Sequence, residues 1–282
     1  MGYQVANTLF RTQSRLTNLQ VHHNVDEAGP VPLPQASNLR DVTRLSLYLE
    51  TTADSDRRRN VLRAVPSLQS LAIRLGPAYD SRHVDVAEDH VQLLQMLFAK
   101  ESDDAVKQNL AVRKLRLEDV ELTLVGSRLP SMIEFGSLST LVLDSCADAT
   151  FLLKALTPLG LGLEWFADLH AEILDYHFNA RDDFIQSLRG PRRISMSHAA
   201  ESYGDNEHMH VDFASIGLGQ QAKLLRSLHL DDYRGVQTRG KQHLRPSRGR
   251  SCSLNGFSQL CEGCDKLEQL AICAPCLSED MS

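Results

Sequence analysis

Four cysteines near the carboxyl end are the residues best suited to chemistry. Cys261 and Cys264 form one Cys-x-x-Cys pair, Cys273 and Cys276 a second, and eight residues separate the pairs. Four thiolates at such spacing suit tetrahedral zinc. Between the pairs, however, Leu267, Leu270 and Ile272 follow the pattern of a strand. A strand of that length, rising about 3.3 Å per residue, holds its ends about 26 Å apart, against about 4 Å between sulfurs on one zinc. The strand therefore forbids the metal. Cofactor-free is the expectation, and a zinc module on Cys261, Cys264, Cys273 and Cys276 is the alternative.

Other reactive arrangements are weaker. His208, His210 and Asp212 alternate like metal ligands but sit in a polar stretch without a fourth partner, and His22-His23 reads as a solvated pair. Gly217 and Gly219 lack the third glycine of a dinucleotide fingerprint, and neither a phosphate-binding loop nor a Gly-x-Ser-x-Gly elbow occurs. No nucleophile and base can be paired, so the chain reads as non-enzymatic. Trp165, the single tryptophan, is expected to fill core.

The elements that position these residues follow from leucine. The chain has 282 residues and 44 leucines, unevenly spread. Leu16, Leu19 and Val21 recur as Val42, Leu45, Leu47; as Leu68, Leu71, Ile73; as Val112, Leu115, Leu117; as Leu138, Leu141, Leu143; as Leu225, Leu228, Leu230; and as Leu267, Leu270, Ile272. Arg193-Ile194-Ser195-Met196 is a degenerate copy. The middle anchors step by 26, 26, 44, 26, 53, 34 and 42 residues. The step of 53 is about two periods, which places a missing copy near Leu163 to Leu169, where the residues fit poorly.

A recurring step of 26 residues lies in the range of leucine-rich repeats. The expected fold is α/β, a leucine-rich-repeat solenoid of about nine units spanning 1–282, with a curved parallel sheet on the concave side and helices and loops on the convex side. Alternation turns Leu45 and Leu47 inward and Arg44, Ser46 and Tyr48 outward. Val86 to Ala99 has helical apolar spacing, and a second helix is expected from Asp182 to Leu188, acidic at its start and ended by Gly190-Pro191. Three stretches exceed the period: a helical, acidic insertion over 76–110, a polar one over 198–218, and a basic loop over 233–256 rich in Arg, Gly and Ser.

Two repeats carry a family likeness. Gly263-Cys264-Asp265-Lys266-Leu267-Glu268-Gln269-Leu270-Ala271-Ile272 resembles the repeat unit of F-box leucine-rich-repeat proteins, fungal ones in particular. Leu138 to Cys146 is similar to the cysteine-type repeat of the same group. The resemblance covers the repeats alone; nothing like an F-box precedes Leu16. It implies protein recognition without catalysis, in substrate selection for ubiquitin ligation, with the ligase adaptor a partner only where an F-box accompanies the repeats. A repeat scaffold with no ligase role is the alternative.

Charge bounds the partner. Thirty Lys and Arg against 36 Asp and Glu give a net charge of −6, which argues against a whole surface made for nucleic acid. The longest apolar stretch, Phe151 to Leu163, is broken by Lys154 and Pro158 and is too short for a bilayer of about 30 Å. With no signal-peptide pattern, and with Ala6 where myristoylation needs Ser or Thr, the chain reads as intracellular, cytoplasmic or nuclear. The expected binding face is the concave one: Arg44, Tyr48, Arg74, Lys114, Arg116, Glu118, Asp144, Arg193, His229 and Asp231. Arg44, Arg74, Lys114 and Arg116 form a basic stripe suited to an acidic or phosphorylated protein segment.

Overall fold

Each leucine string builds a short strand, because alternate aliphatic side chains give a chain segment one face to bury. A computed structural model describes residues 16–21, 39–76, 86–98, 110–172, 175–199, 218–233 and 262–272. Its strands are β1 (Asn18–Val21), β2 (Arg44–Leu49), β3 (Ser70–Leu75), β4 (Leu110–Ala111), β5 (Lys114–Glu118), β6 (Ile133–Glu134), β7 (Thr140–Asp144), β8 (Trp165–Glu172), β9 (Arg193–Ala199), β10 (Ser227–Tyr233) and β11 (Gln269–Ile272). Nine of them form one parallel sheet in the order β1-β2-β3-β5-β7-β8-β9-β10-β11, while β4 pairs with β6.

The register aligns the leucines in two files. Leu19, Leu45, Leu71, Leu115, Leu141, Phe166, Ile194, Leu228 and Leu270 stand side by side, and so do Val21, Leu47, Ile73, Leu117, Leu143, Asp168, Met196, Leu230 and Ile272. Most of these side chains lie in one continuous core, each large aliphatic contributing about 1.5–3 kcal/mol by its removal from water. Leu270, in the last described strand, is 38% exposed.

One backbone device repeats at all eight junctions between neighbouring strands of this sheet. The carbonyls of Thr17, Thr43, Gln69, Arg113, Ser139, Glu164, Arg192 and Arg226 each accept two successive N–H groups from the start of the next strand, at 2.8–3.1 Å. The strand starts are thereby locked in step.

The missing copy is β8. Phe166 takes the place of the middle leucine and Asp168 that of the last, so the step of 53 divides into 25 and 28 residues. A bulge follows: Asp168 pairs with Met196 but Ala171 with His198, leaving one extra residue on β8.

Helices α1 (Thr52–Arg63), α2 (Val86–Leu97), α3 (Leu129–Met132), α4 (Thr150–Leu156) and α5 (Asp175–Ser187) lie in the connections. α1 packs on α2, and α4 on α5. On α2, His90, Val91, Leu94 and Leu97 are buried as their spacing predicts, and Leu93 joins them. α5 departs from expectation by starting at Asp175, so Asp182 and Asp183 stand inside the helix and do not meet the positive end of its dipole. Apart from α2, Gly76, Phe98 and Leu110, the 76–110 insertion lies outside the described residues, as do 200–217 and 234–256 of the other two. No helix among the described residues is long and apolar enough to cross a membrane.

Candidate recognition face

Alternation that buries the leucines sends the intervening residues to the opposite side of the sheet. One outer file runs Asn18, Arg44, Ser70, Lys114, Thr140, Trp165, Arg193, Ser227, Gln269; the next runs Gln20, Ser46, Ala72, Arg116, Val142, Ala167, Ser195, His229, Ala271. Tyr48, Arg74, Glu118 and Asp144 align in a third. Arg44, Arg74, Lys114, Arg116, Arg193 and His229 are exposed, Tyr48 and Glu118 half-buried, and Asp144 buried. Asp231 pairs with Ser197 in the ladder, and its side chain lies outside the described set.

The four cations of the expected stripe do not behave alike. Arg74 donates from Nε to Asp119 Oδ2 at 2.8 Å and stands 3.6 Å from Glu118 Oε1. Arg116 lies 3.4 Å from Glu118 Oε2 and also bonds Asp144. Two guanidiniums are thus shared among Asp119, Glu118 and Asp144, and the centre of the face is neutralised. Asp119 takes part because of its backbone: at φ +57° it turns the chain just after β5 and places its carboxylate against the neighbouring strand. Arg44 and Lys114 make no ion pair among the described residues.

Trp165 corrects a second expectation. It lies on the outer face, half-buried, and Phe166 beside it fills the core. The guanidinium of Arg193 stacks over the indole, 4.6 Å from its centroid. Around this pair the outer file is built of small buried side chains, Val142, Ala167 and Ser195.

Sequence reasoning passed over Arg113, Arg192 and Arg226, which stand one residue ahead of Lys114, Arg193 and Ser227 and are all exposed. The signal was present in the dibasic pairs Arg113-Lys114 and Arg192-Arg193. Strict alternation assigns only one member of each pair to the outer face, whereas the chain is still turning there and exposes both.

The strand expected between the two cysteine pairs is shorter than its spacing suggested. A turn closed by the Leu267 N–H on the Cys264 carbonyl at 3.1 Å comes first, and only the four residues Gln269–Ile272 are strand. The separation of about 26 Å expected for eight extended residues therefore does not apply to the whole segment. β11 forms between Cys264 and Cys273 and pairs with β10 over Gln269 to Ile272. Cys264 is buried; Cys261, Cys273 and Cys276 lie outside the described residues, as do His22, His23, His208, His210 and Asp212. Among the described residues no group of three His, Cys, Asp or Glu is placed to hold a metal. Cys146 donates to the carbonyl of Leu117 at 3.4 Å, and burial pushes its thiol up to about 12, so it stays protonated as a packing element.

His90 is the other perturbed group. Its Nδ1 accepts the N–H of Glu121 at 2.9 Å, tying α2 to the segment after β5. Burial lowers its pKa, opposed by smaller contributions from the Gly76 backbone and the Glu121, Asp89 and Asp119 carboxylates. The outer face thus carries exposed cations, one aromatic ring under a guanidinium and an ion-pair cluster, all aligned by the parallel ladder. Compared with protein-family models, curated proteins and solved structures, the chain matches none of them.

Proposed function

We propose that the chain is a leucine-rich-repeat solenoid that recognises a protein partner on the outer face of its sheet. The observation that carries this reading is the ladder itself: nine parallel strands in chain order, presenting aligned polar and charged side chains about 4.8 Å apart from strand to strand. Such a surface is preorganised, since its residues are fixed by the backbone locks at the strand starts and by the buried leucines beneath. Recognition of this kind needs no cofactor and no reacting side chain. The likeness of the repeats holding Cys146 and Cys264 to F-box leucine-rich-repeat proteins supports substrate selection for ubiquitin ligation as its intracellular setting.

The test blocks the face without touching its charge. Ser46→Trp with Ala72→Trp places two bulky rings on the outer file, while Arg57→Glu alters an exposed residue of α1 as the control. Partners captured from the native cell extract by the tagged wild-type chain should fall at least about tenfold with the double variant and persist with the control. Equal recovery with all three chains overturns the reading. Co-capture of the ligase adaptor with the full-length protein tests the setting separately.

A further inference from the structure

We propose that the leading edge of the sheet, where the strands begin, is a docking ridge for an extended acidic protein segment. The proposal rests on the recognition reading above and names the chemistry of the partner.

Each strand start carries a pair of residues between two apolar anchors, and at most junctions at least one of the pair is exposed; ahead of β7, Ser139 is half-buried and Thr140 buried. Val112 and Leu115 are buried while Arg113 and Lys114 between them are exposed. The equivalent pairs line up across the sheet, held by the doubled hydrogen bonds at every junction. Of the cations in these two rows, Arg226 is paired with Glu268 at 3.2 Å. Arg44, Arg113, Lys114, Arg192 and Arg193 remain, exposed and in no ion pair among the described residues, against the single acid Glu164. Five cations to one acid is a concentrated positive edge on a chain of net charge −6. Toward the other end of the strands the balance reverses, where Glu118, Asp119 and Asp144 outnumber Arg74 and Arg116.

The spacing of the cations selects the partner. Arg44 is on the second strand of the sheet, Lys114 on the fourth and Arg193 on the seventh. At about 4.8 Å per strand the three stations are about 10 and 14 Å apart, spanning about 24 Å. One phosphate cannot reach stations so separated, whereas an extended peptide of about seven residues can run past all of them with a carboxylate at each. Arg193 is prepared for this role. Its guanidinium lies over the Trp165 ring, 4.6 Å from the centroid, a contact that reduces the freedom lost on binding a carboxylate. The ridge is only two residues deep before the neutralised cluster begins, too narrow a positive surface for the broad phosphate contacts of a nucleic acid.

The experiment measures fluorescence anisotropy of a labelled Glu-rich peptide of about ten residues with the full chain, at about 50 mM salt. A Gln-rich peptide of the same length and an oligouridylate serve as the other probes. The Glu-rich peptide should bind at least about tenfold more tightly than the Gln-rich one and weaken steeply with added salt. Arg113→Glu with Lys114→Glu and Arg193→Glu should cost at least about tenfold, the neutral triple change to Gln less, and Arg57→Glu nothing. Thermal unfolding confirms that the variants fold, and the Gln variant decides the matter should the Glu variant not. Failure of the Glu-rich peptide to bind, equal binding by the folded triple variants, or tighter binding of the oligouridylate overturns the proposal. If the double tryptophan variant loses its partner while acidic peptides fail to bind the parent chain, the recognition reading stands and the acidic-segment inference alone falls.

Discussion

Arg74 donates through Nε to Asp119 Oδ2 at 2.8 Å, joining β3 to the turn that follows β5. Because Arg74 also faces Glu118, reversing its charge sets a third carboxylate beside those of Glu118 and Asp119 on one small patch. Arg74→Glu should therefore lower stability by about 1–2 kcal/mol, whereas Arg44→Glu, with no ion pair among the described residues, should stay within about 0.5 kcal/mol. Urea unfolding measures both. The gap should shrink at high salt, and a gap that does not shrink rejects the electrostatic account.

Ser145 occupies the same place after β7 that Asp119 occupies after β5, and both have positive φ, +53° and +57°. A side chain costs energy in that left-handed conformation, and glycine does not. Ser145→Gly should raise stability by about 0.5–1 kcal/mol, less the weak 3.3 Å hydroxyl contact to Asp144. A higher midpoint of unfolding at unchanged denaturant slope is the expected result.

His90 predicts a pH dependence. Its pKa in the folded chain lies below the ordinary 6.5 because burial opposes the charged form. Between that lowered value and 6.5 the unfolded chain binds the extra proton, so acid favours unfolding. The stability is whole above pH 6.5 and is lost as the pH falls through the folded value. His90→Asn keeps an acceptor for the Glu121 N–H and removes the titration, so its stability should fall less between about pH 6.5 and 5 than that of the parent chain.

Much of the fold is legible in strings such as Val112 to Leu117, where alternation and spacing agree and the structure places a strand where they say. β8 is not, since Phe166 and Asp168 stand where leucines stand elsewhere and the bulge adds a residue to the count. Trp165 and Phe166 are adjacent aromatics, and only the register with Leu141 and Ile194 shows which one faces the core. The outer face is legible as positions but not as charge. Arg74 and Asp119 are 45 residues apart, and no spacing rule announces that a turn carboxylate will reach back across the ladder to cancel a cation.

Gly126 marks a close approach of two backbone segments. A Cβ there would lie 2.7 Å from the carbonyl oxygen of Leu122 and 2.8 Å from the amide nitrogen of Leu152, in the first turn of α4. Neither is a flexible side chain that can turn aside. Gly126→Ala should cost about 1–3 kcal/mol, in contrast to Gly136→Ala, whose added methyl meets nothing within 4 Å. Parallel unfolding curves of the two variants check the contrast.

The ring of Phe184 on α5 meets Phe166 of β8 edge to face, centroids 5.1 Å apart and planes at 71°. Both rings are fully buried, so the pair is the point at which a helix is fastened to the strand with the least leucine-like sequence. Phe184→Ala should cost about 3–5 kcal/mol, and Phe184→Leu a smaller amount that includes the about 0.5–1.5 kcal/mol of the ring–ring geometry. Hydrogen exchange separates a local from a global effect: the amides of α5 should lose protection in Phe184→Leu before those of β2 and β3, which lie toward the far end of the same sheet. Uniform loss across the sheet would mean that β8 and its neighbours unfold only with the whole array, and that the irregular repeat is no weaker than the rest.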